Sequence, residues 1–279
     1  MNEHFFIYNG EFFRSGIPVI TVENRSFRYG DGLFETMRLY KGEIINRDFH
    51  FERLFAGMKL LEFQVPPYFS VHYFIETVNK LLSKNSILEN ARIRLMVFRG
   101  EEGLFEIENN STNYVLETFP LPGKLELNEE GLIIEVFPGA AKSCDKFSNI
   151  KSNNYLPSIM AARFAKKKNL NDAIILNAFG RVCESSIANL FIIKDEKIFT
   201  PPLIEGCVAG VIRHWMLEKF SLQDFKIEEK ILSVQDILSA DELFLTNSIQ
   251  VIKWVKQFRN KTFGNEKVKA IFQHVSENI

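Results

Sequence analysis

The chain has 279 residues, 46% of them hydrophobic and 25% charged, with a formal net charge of -1. A chain of this size and balance buries most of its apolar surface without metal or disulfide staples, as one large domain or two smaller ones. Near-zero net charge argues against nucleic acid as the main partner, and no run approaches the roughly 20 apolar residues that cross a bilayer, so neither nucleic acid nor membrane is expected and small molecules are the default ligands.

The opening stretch, MNEHFFIYNGEFF, has no basic region followed by a long apolar run, so no leader is expected there. Phe5 to Tyr8 reads as a strand, Asn9-Gly10 as a hairpin turn and Glu11 to Arg14 as the return. Leu33 to Tyr40 and Glu43 to Asn46 flank Lys41-Gly42, a second hairpin. From His50 to Leu61 the period changes, with Phe51, Leu54, Phe55, Met58 and Leu61 on one helical face. A second helix is expected over Val71 to Lys84 and a strand over Ala91 to Arg99. These elements form a small N-terminal α/β domain, residues 1–118. The prolines and glycine of PLPGKLELNEE mark a linker at residues 119–130.

The larger C-terminal domain, residues 131–279, has a mostly β core. It reads as a strand over Gly131 to Phe137, a helix over Ser158 to Lys168, and strands over Asp172 to Leu176, Arg181 to Cys183, Asn189 to Ile193 and Lys197 to Thr200. A helix over Val211 to Phe220, a strand over Glu242 to Thr246 and a closing helix over Val268 to Glu277 follow. The 27 phenylalanines, against 7 tyrosines and 2 tryptophans, read as core filling. Lys166-Lys167-Lys168 ends a helix, where the helix dipole favours cations. Cys144, Cys183 and Cys207 have no paired or metal-ligand spacing, which points to a reducing cytoplasm and no metal site.

Four segments could carry chemistry. Lys151, in NIKSNNYL, follows a strand and precedes a helix among small polar residues. A partly desolvated lysine there is a Schiff-base nucleophile; the plainer reading is an exposed loop lysine. Glu184, in GRVCESSIANLF, ends an apolar strand, where a carboxylate must pair with a cation or face solvent; its functional reading is a carboxylate facing a protonated heterocyclic nitrogen. The loop with Gly206 and Gly210 opens onto a helix at Val211, whose free N–H groups can hold a phosphate, although many such loops bind nothing. Asn247-Ser248 could add donors to the same anion. Finally, Arg25 to Arg53 contains RYGDGLFET followed by Arg47, His50 and Arg53, the last two on one side of a helix. The plainer reading there is a glycine turn, surface arginine pairs and a core histidine. No GxGxxG, P-loop, HExxH or GxSxG is present.

Together these segments resemble the class IV aminotransferases, the PLP fold type IV group that includes branched-chain and D-amino-acid aminotransferases and 4-amino-4-deoxychorismate lyase. The match runs in order through RYGDGLFETMR, RDFHFERL, NIKSNNYL, VCESSIANLFIIKDEKIFTPP and GVIR. The resemblance implies an α+β, two-domain fold and pyridoxal 5'-phosphate (PLP) as cofactor. Lys151 would carry PLP covalently and act as the catalytic base, and Glu184 would contact the ring nitrogen. Tyr155 would lie against the phenolic oxygen, and Asn189 falls in the most specific string. Arg53 would bind the phosphate with the backbone of Gly210, Val211 and Ile212 and the Asn247-Ser248 turn. Family members are usually homodimers, which implies a second copy as partner.

For the substrate, an amino acid and a 2-oxo acid, the strand ARIRLMVFRG resembles the branched-chain pattern. Arg94 stands at its substrate-facing arginine, with Tyr29, Phe34 and Arg38 at the pocket wall; the plainer reading of Arg94 is a strand arginine paired with an acid. D-amino-acid and lyase members carry an extra arginine after the pair matching Arg99-Gly100, and EEGLFEIENN here has none. The resulting expectation is a branched-chain-like aminotransferase, with the lyase, favoured by chain length, as its alternative. A non-catalytic PLP-fold binding protein is a distant third.

Overall fold

In the computed structural model of the chain, residues 4–100, 110–220 and 226–279 are described. They divide into two compact units: the chain up to Lys124 together with Ile150–Asn154, and Leu125–Asn149 together with Tyr155–Ile279. The division runs through the proline-rich stretch and gives the five residues around Lys151 to the first unit. Both helices and sheets build the molecule, an α+β fold.

In the first unit, β1 (Phe5–Tyr8) and β2 (Glu11–Arg14) form the first hairpin. Helix α1 (Arg25–Tyr29) precedes β3 (Gly32–Tyr40) and β4 (Glu43–Ile44), and α2 (Arg47–Leu60), α3 (Val71–Lys84), β5 (Ala91–Arg99) and β6 (Thr112–Pro120) complete the unit. The strands make one antiparallel sheet in the order β2-β1-β6-β5-β3-β4. Both hairpins turn on two consecutive residues with positive φ, Asn9 (49°) and Gly10 (91°), then Lys41 (52°) and Gly42 (84°), the twist that suits two-residue loops. Phe51, Leu54 and Met58 of α2 and Phe74, Val78 and Leu81 of α3 pack on Leu33, Met37, Ile93, Leu95, Val97 and Leu116 of the sheet. Strand β6 had no reading in the sequence because Asn113 and Glu117 interrupt its apolar residues. Its burial alternates all the same, with Tyr114 and Leu116 fully inside. Helix α1 is a single turn, too short for a period to show. It is held by Asn24, whose side chain accepts from the Phe27 N–H, and by Gly30 in the left-handed region.

The second unit contains β7 (Leu132–Val136), α4 (Leu156–Lys167), β8 (Asp172–Leu176), β9 (Val182–Ser185), β10 (Asn189–Lys194) and β11 (Lys197–Thr200). After these come α5 (Val211–Lys219), β12 (Lys226–Glu229), α6 (Val234–Leu238), β13 (Glu242–Asn247), β14 (Val251–Phe258), β15 (Lys261–Thr262) and α7 (Glu266–Asn278). Hydrogen bonding runs β12-β11-β10-β13-β14-β7-β8-β9, with β15 on β14. The sheet curls, since β9 at one end of that path returns beside β10. Leu190, Ile192, Leu243, Leu245, Val255 and Phe258 fill its interior. Ala161 and Ala165 of α4 pack against Ala173 and Ile175 of β8 in a smaller cluster. Helix α4 begins two residues before its apolar pattern does, because Pro157 is accepted in a first turn, where no N–H partner is needed.

Candidate active site

Strand β3 organises the polar residues of the first unit. Leu33, Met37 and Leu39 enter the core, so alternation sends Phe34, Thr36 and Arg38 to the opposite face. Arg94 of β5 stands opposite Thr36 in register and shares that face. Residues 150–154 lie along the start of β3: the Phe34 N–H donates to the Lys151 carbonyl at 2.9 Å, and the Asn153 N–H donates to the Gly32 carbonyl at 2.9 Å. Only glycine fits at position 32, where a Cβ would stand 2.5 Å from Asn153 Nδ2 and 2.8 Å from the Val97 carbonyl oxygen. With its backbone fixed in this way, Lys151 places Nζ 4.6 Å from the centre of the Phe34 ring. The Arg94 guanidinium carbon is 4.2 Å from the same centre. One aromatic ring thus gathers a lysine and an arginine, an arrangement that the ring quadrupole favours.

The inward row of β3 has one polar member, Glu35. Its carboxylate accepts from Arg53 Nε at 2.7 Å and Arg53 Nη2 at 2.6 Å, and meets His50 Nδ1 at 2.6 Å. Burial works against the charged carboxyl, but Arg53 and His50 outweigh it and hold Glu35 at about 2. His50 is pushed down, chiefly by burial and further by Arg53 and Lys151, against the pull of Glu35. A neutral ring donating from Nδ1 to Glu35 satisfies both shifts. The Arg28–Asp31 loop is held by Asp31, which accepts from Arg25 Nε at 3.0 Å and from Arg99 Nη1. Tyr29 stays partly exposed beneath the Arg25 guanidinium. Arg38 donates from Nη2 to the carbonyls of Pro122 at 3.2 Å and Lys124 at 3.0 Å, so its guanidinium clamps the segment that follows β6.

In the second unit, Glu184 stands next to last in β9 with 6% of its side chain exposed. Oε1 pairs with Lys142 Nζ, and Oε2 accepts from the Val208 N–H at 2.8 Å. Asn189 starts β10 and donates from Nδ2 to the Val208 carbonyl at 2.9 Å. Gly210 is the N-cap of α5, so no N-cap side chain covers the N–H groups of the first turn, on Val211 and Ile212. Both side chains are buried, which leaves the backbone as what they present. Asn189 lies opposite Thr246 across β10 and β13, and the Thr246 hydroxyl is buried without a hydrogen-bond partner. One residue on, Asn247 Oδ1 accepts from the N–H groups of Ile249 at 3.0 Å and Gln250 at 2.8 Å, closing a turn through Ser248. Val251 leaves this turn at φ 60°, a conformation that a β-branched residue adopts only under local constraint. Tyr155 is the N-cap of α4 and is partly buried.

A family model described as amino-transferase class IV matches residues 32–258. The chain belongs to the class IV aminotransferases. Among curated relatives of this enzyme family, the aminodeoxychorismate lyase of Bacillus subtilis is 29% identical over 266 residues, covering 94% of this chain and 89% of the relative. A putative branched-chain-amino-acid aminotransferase of Methanocaldococcus jannaschii is 28% identical over 274 residues, 97% of this chain and 93% of the relative. Among solved structures, the branched-chain aminotransferase of the thermophilic archaeon Thermoproteus uzoniensis with norvaline superposes with a TM-score of 0.89 at 24% identity, over 99% of this chain and 94% of that one. That likeness bears out the class IV aminotransferase fold.

Of the residues singled out from sequence, the first unit brings Lys151, Phe34 and Arg94 onto one sheet face, while Arg53 sits in the Glu35 cluster behind it. The second unit gathers Glu184, Asn189 and the α5 N-terminus around Val208. The stretch Glu101–Asn110 was read for an extra arginine, and its residues 101–109 lie outside the described residues. Two residues had no reading: Glu35, visible only as the one acid in the inward row of a strand, and Lys142, which carried no sequence signal.

Proposed function

We propose that this class IV aminotransferase uses PLP on Lys151 to move an amino group between a branched-chain-like amino acid and a 2-oxo acid. The carrying observation is the placement of Lys151, a lysine with its carbonyl fixed by β3 and its amine against Phe34 beside Arg94. The residues suit the cofactor's chemistry. The first turn of α5, with no side-chain cap, and the unpartnered Thr246 hydroxyl are donors for an anion. Glu184 is an acceptor for a protonated ring nitrogen, and an aldehyde needs an amine such as that of Lys151. When bound, PLP supplies a ring that draws electrons from the substrate's α carbon. Lys151 Nζ, released as a free amine when the incoming substrate amine takes its place, would take the proton from that carbon and later return a proton. Arg94 binds the substrate carboxylate through its forked N–H groups, and the Phe34 ring keeps water from the amine. Val211 and Ile212 N–H groups, with Arg53, bind the phosphate; Tyr155 faces the phenolic oxygen. The partner is a second copy of this chain, and the setting is the cytoplasm.

Lys151→Ala abolishes turnover and the long-wavelength absorbance of lysine-bound cofactor; a yellow protein that borohydride still reduces would refute the assignment. Specificity is read from a screen of valine, leucine and glutamate with 2-oxoglutarate. A second reading, aminodeoxychorismate lyase, rests on the Bacillus subtilis relative. Pyruvate and 4-aminobenzoate formed from aminodeoxychorismate, with no 2-oxo acid acceptor, establish it instead.

A further inference from the structure

Both oxygens of Glu184 are engaged within its own unit, one by Lys142 and one by the Val208 N–H. Lys142 is not a loose surface cation. Its N–H donates to the Leu176 carbonyl at 3.0 Å and its carbonyl accepts from the Ala178 N–H at 3.1 Å, in a parallel bridge with Asn177. Its side chain is 15% exposed. Burial works to lower the Lys142 pKa, but Glu184 chiefly, with the thiols of Cys183 and Cys207, outweighs it and the net shift is upward. Burial pushes both thiols up, Cys207 to about 12 despite the nearby Arg213, and Glu184 in turn raises both, so both are neutral near pH 7. Lys142 is therefore the charge in contact with this carboxylate.

A carboxylate oxygen has two lone-pair directions, so each Glu184 oxygen can accept once more without losing its present partner. A carboxylate strengthens the hold of a neighbouring nitrogen on its proton, and a cation paired with that carboxylate subtracts from the effect. Resting on the reading that Glu184 meets the ring nitrogen of PLP, we infer that Lys142 is a positioning residue that aims Glu184 and offsets its charge, so that the ring nitrogen holds its proton less firmly than an unpaired carboxylate would make it. Val208 fixes one oxygen from the loop that leads into α5, and Lys142 fixes the other from the strand side. The sequence thus supplies a charge-tuning element on a segment, AAKSCDK, 42 positions before the carboxylate it pairs with.

The test is the protonation of the nitrogen itself, followed by the 15N chemical shift of 15N-labelled PLP in the holoprotein across pH. In Lys142→Gln, which keeps a hydrogen-bond donor and loses the charge, PLP stays on Lys151 and the midpoint rises by about one pH unit or more, a tenfold tighter proton. Lys142→Met, of similar length, serves the same comparison should the glutamine variant fail to fold. Lys142→Arg restores the charge and brings the midpoint back to within about 0.3 of the wild type, a difference of about twofold at most. A side chain that merely fills space would give no such split between glutamine and arginine. A midpoint unmoved in the neutral variants overturns the inference alone; a wild-type chain with no cofactor signal overturns both it and the reading on which it rests.

Discussion

Glu35 shows how one residue ties an interior together. On an inward row between Leu33 and Met37 its carboxylate would be costly alone, yet it joins β3 to α2 by accepting from Arg53 and His50. Its folded pKa, about 2 against an ordinary 4.5, is depressed. The stabilisation is therefore present above about pH 4.5 and is lost as pH falls from there toward 2, on the order of 3 kcal/mol. His50, also depressed, adds to the acid sensitivity from its ordinary value near 6.5 downward. Glu35→Gln removes the carboxylate that Arg53 and His50 share, so unfolding by urea at pH 7 should show a loss of about 3 to 5 kcal/mol. The variant's stability should also change less than the wild type's between pH 4.5 and 2; parallel curves in that window would contradict the role given to Glu35. At this scale the sequence singles out residues where residue type and motif coincide, as at Lys151 and Glu184. It was silent at Lys142, because a pairing across 42 positions leaves no local pattern.

Elements were legible wherever an apolar period or a turn announced them. Strands β1, β2, β5, β8 and β11 and helix α3 have the bounds expected from composition and alternation. Strands β12 and β14 had no reading; β12 is only partly buried, and β14 mixes Lys253, Lys256 and Gln257 into its buried residues. Helix α5 was found from its glycine loop, and the structure shows why position 210 matters. Its φ of -65° suits any residue, so backbone strain is not the reason. A Cβ there would stand 1.8 Å from Asn189 Oδ1, which forces Asn189 out of its bond with the Val208 carbonyl. Gly210→Ala should cost about 1 to 3 kcal/mol through that buried amide. It should also weaken PLP binding about tenfold or more if the α5 N-terminus holds the phosphate, since an anion there depends on unobstructed N–H groups. Equilibrium binding followed by absorbance measures this. Unchanged affinity with lowered melting temperature would place the phosphate elsewhere.

For the molecule as a whole, no helix among the described residues is long and apolar enough to cross a membrane, yet the surface is not uniformly polar. In the first unit Ile17, Ile20, Val22, Phe27 and Tyr29 are all exposed within a short stretch. In the second, Leu156, Ile159 and Met160 of α4 are exposed at i, i+3 and i+4 spacing, so they form one stripe. Single exposed apolar residues need no explanation, but groups of them mark interaction surfaces. Neither group was legible as surface in the sequence, because an apolar run reads the same whether its partner is its own core or a second chain. On the reading proposed above, the partner for both is a second copy, since a symmetric interface covers the same patch on each protomer. Light scattering of the purified protein should give twice 32.3 kDa. Phe27→Asp places a charge in the first group without touching a buried residue, and should shift the particle toward 32.3 kDa while near-native helix content is kept. Ile159→Asp tests the stripe on α4 in the same way. A wild-type particle of single mass across a wide concentration range would show that these surfaces serve something other than self-association.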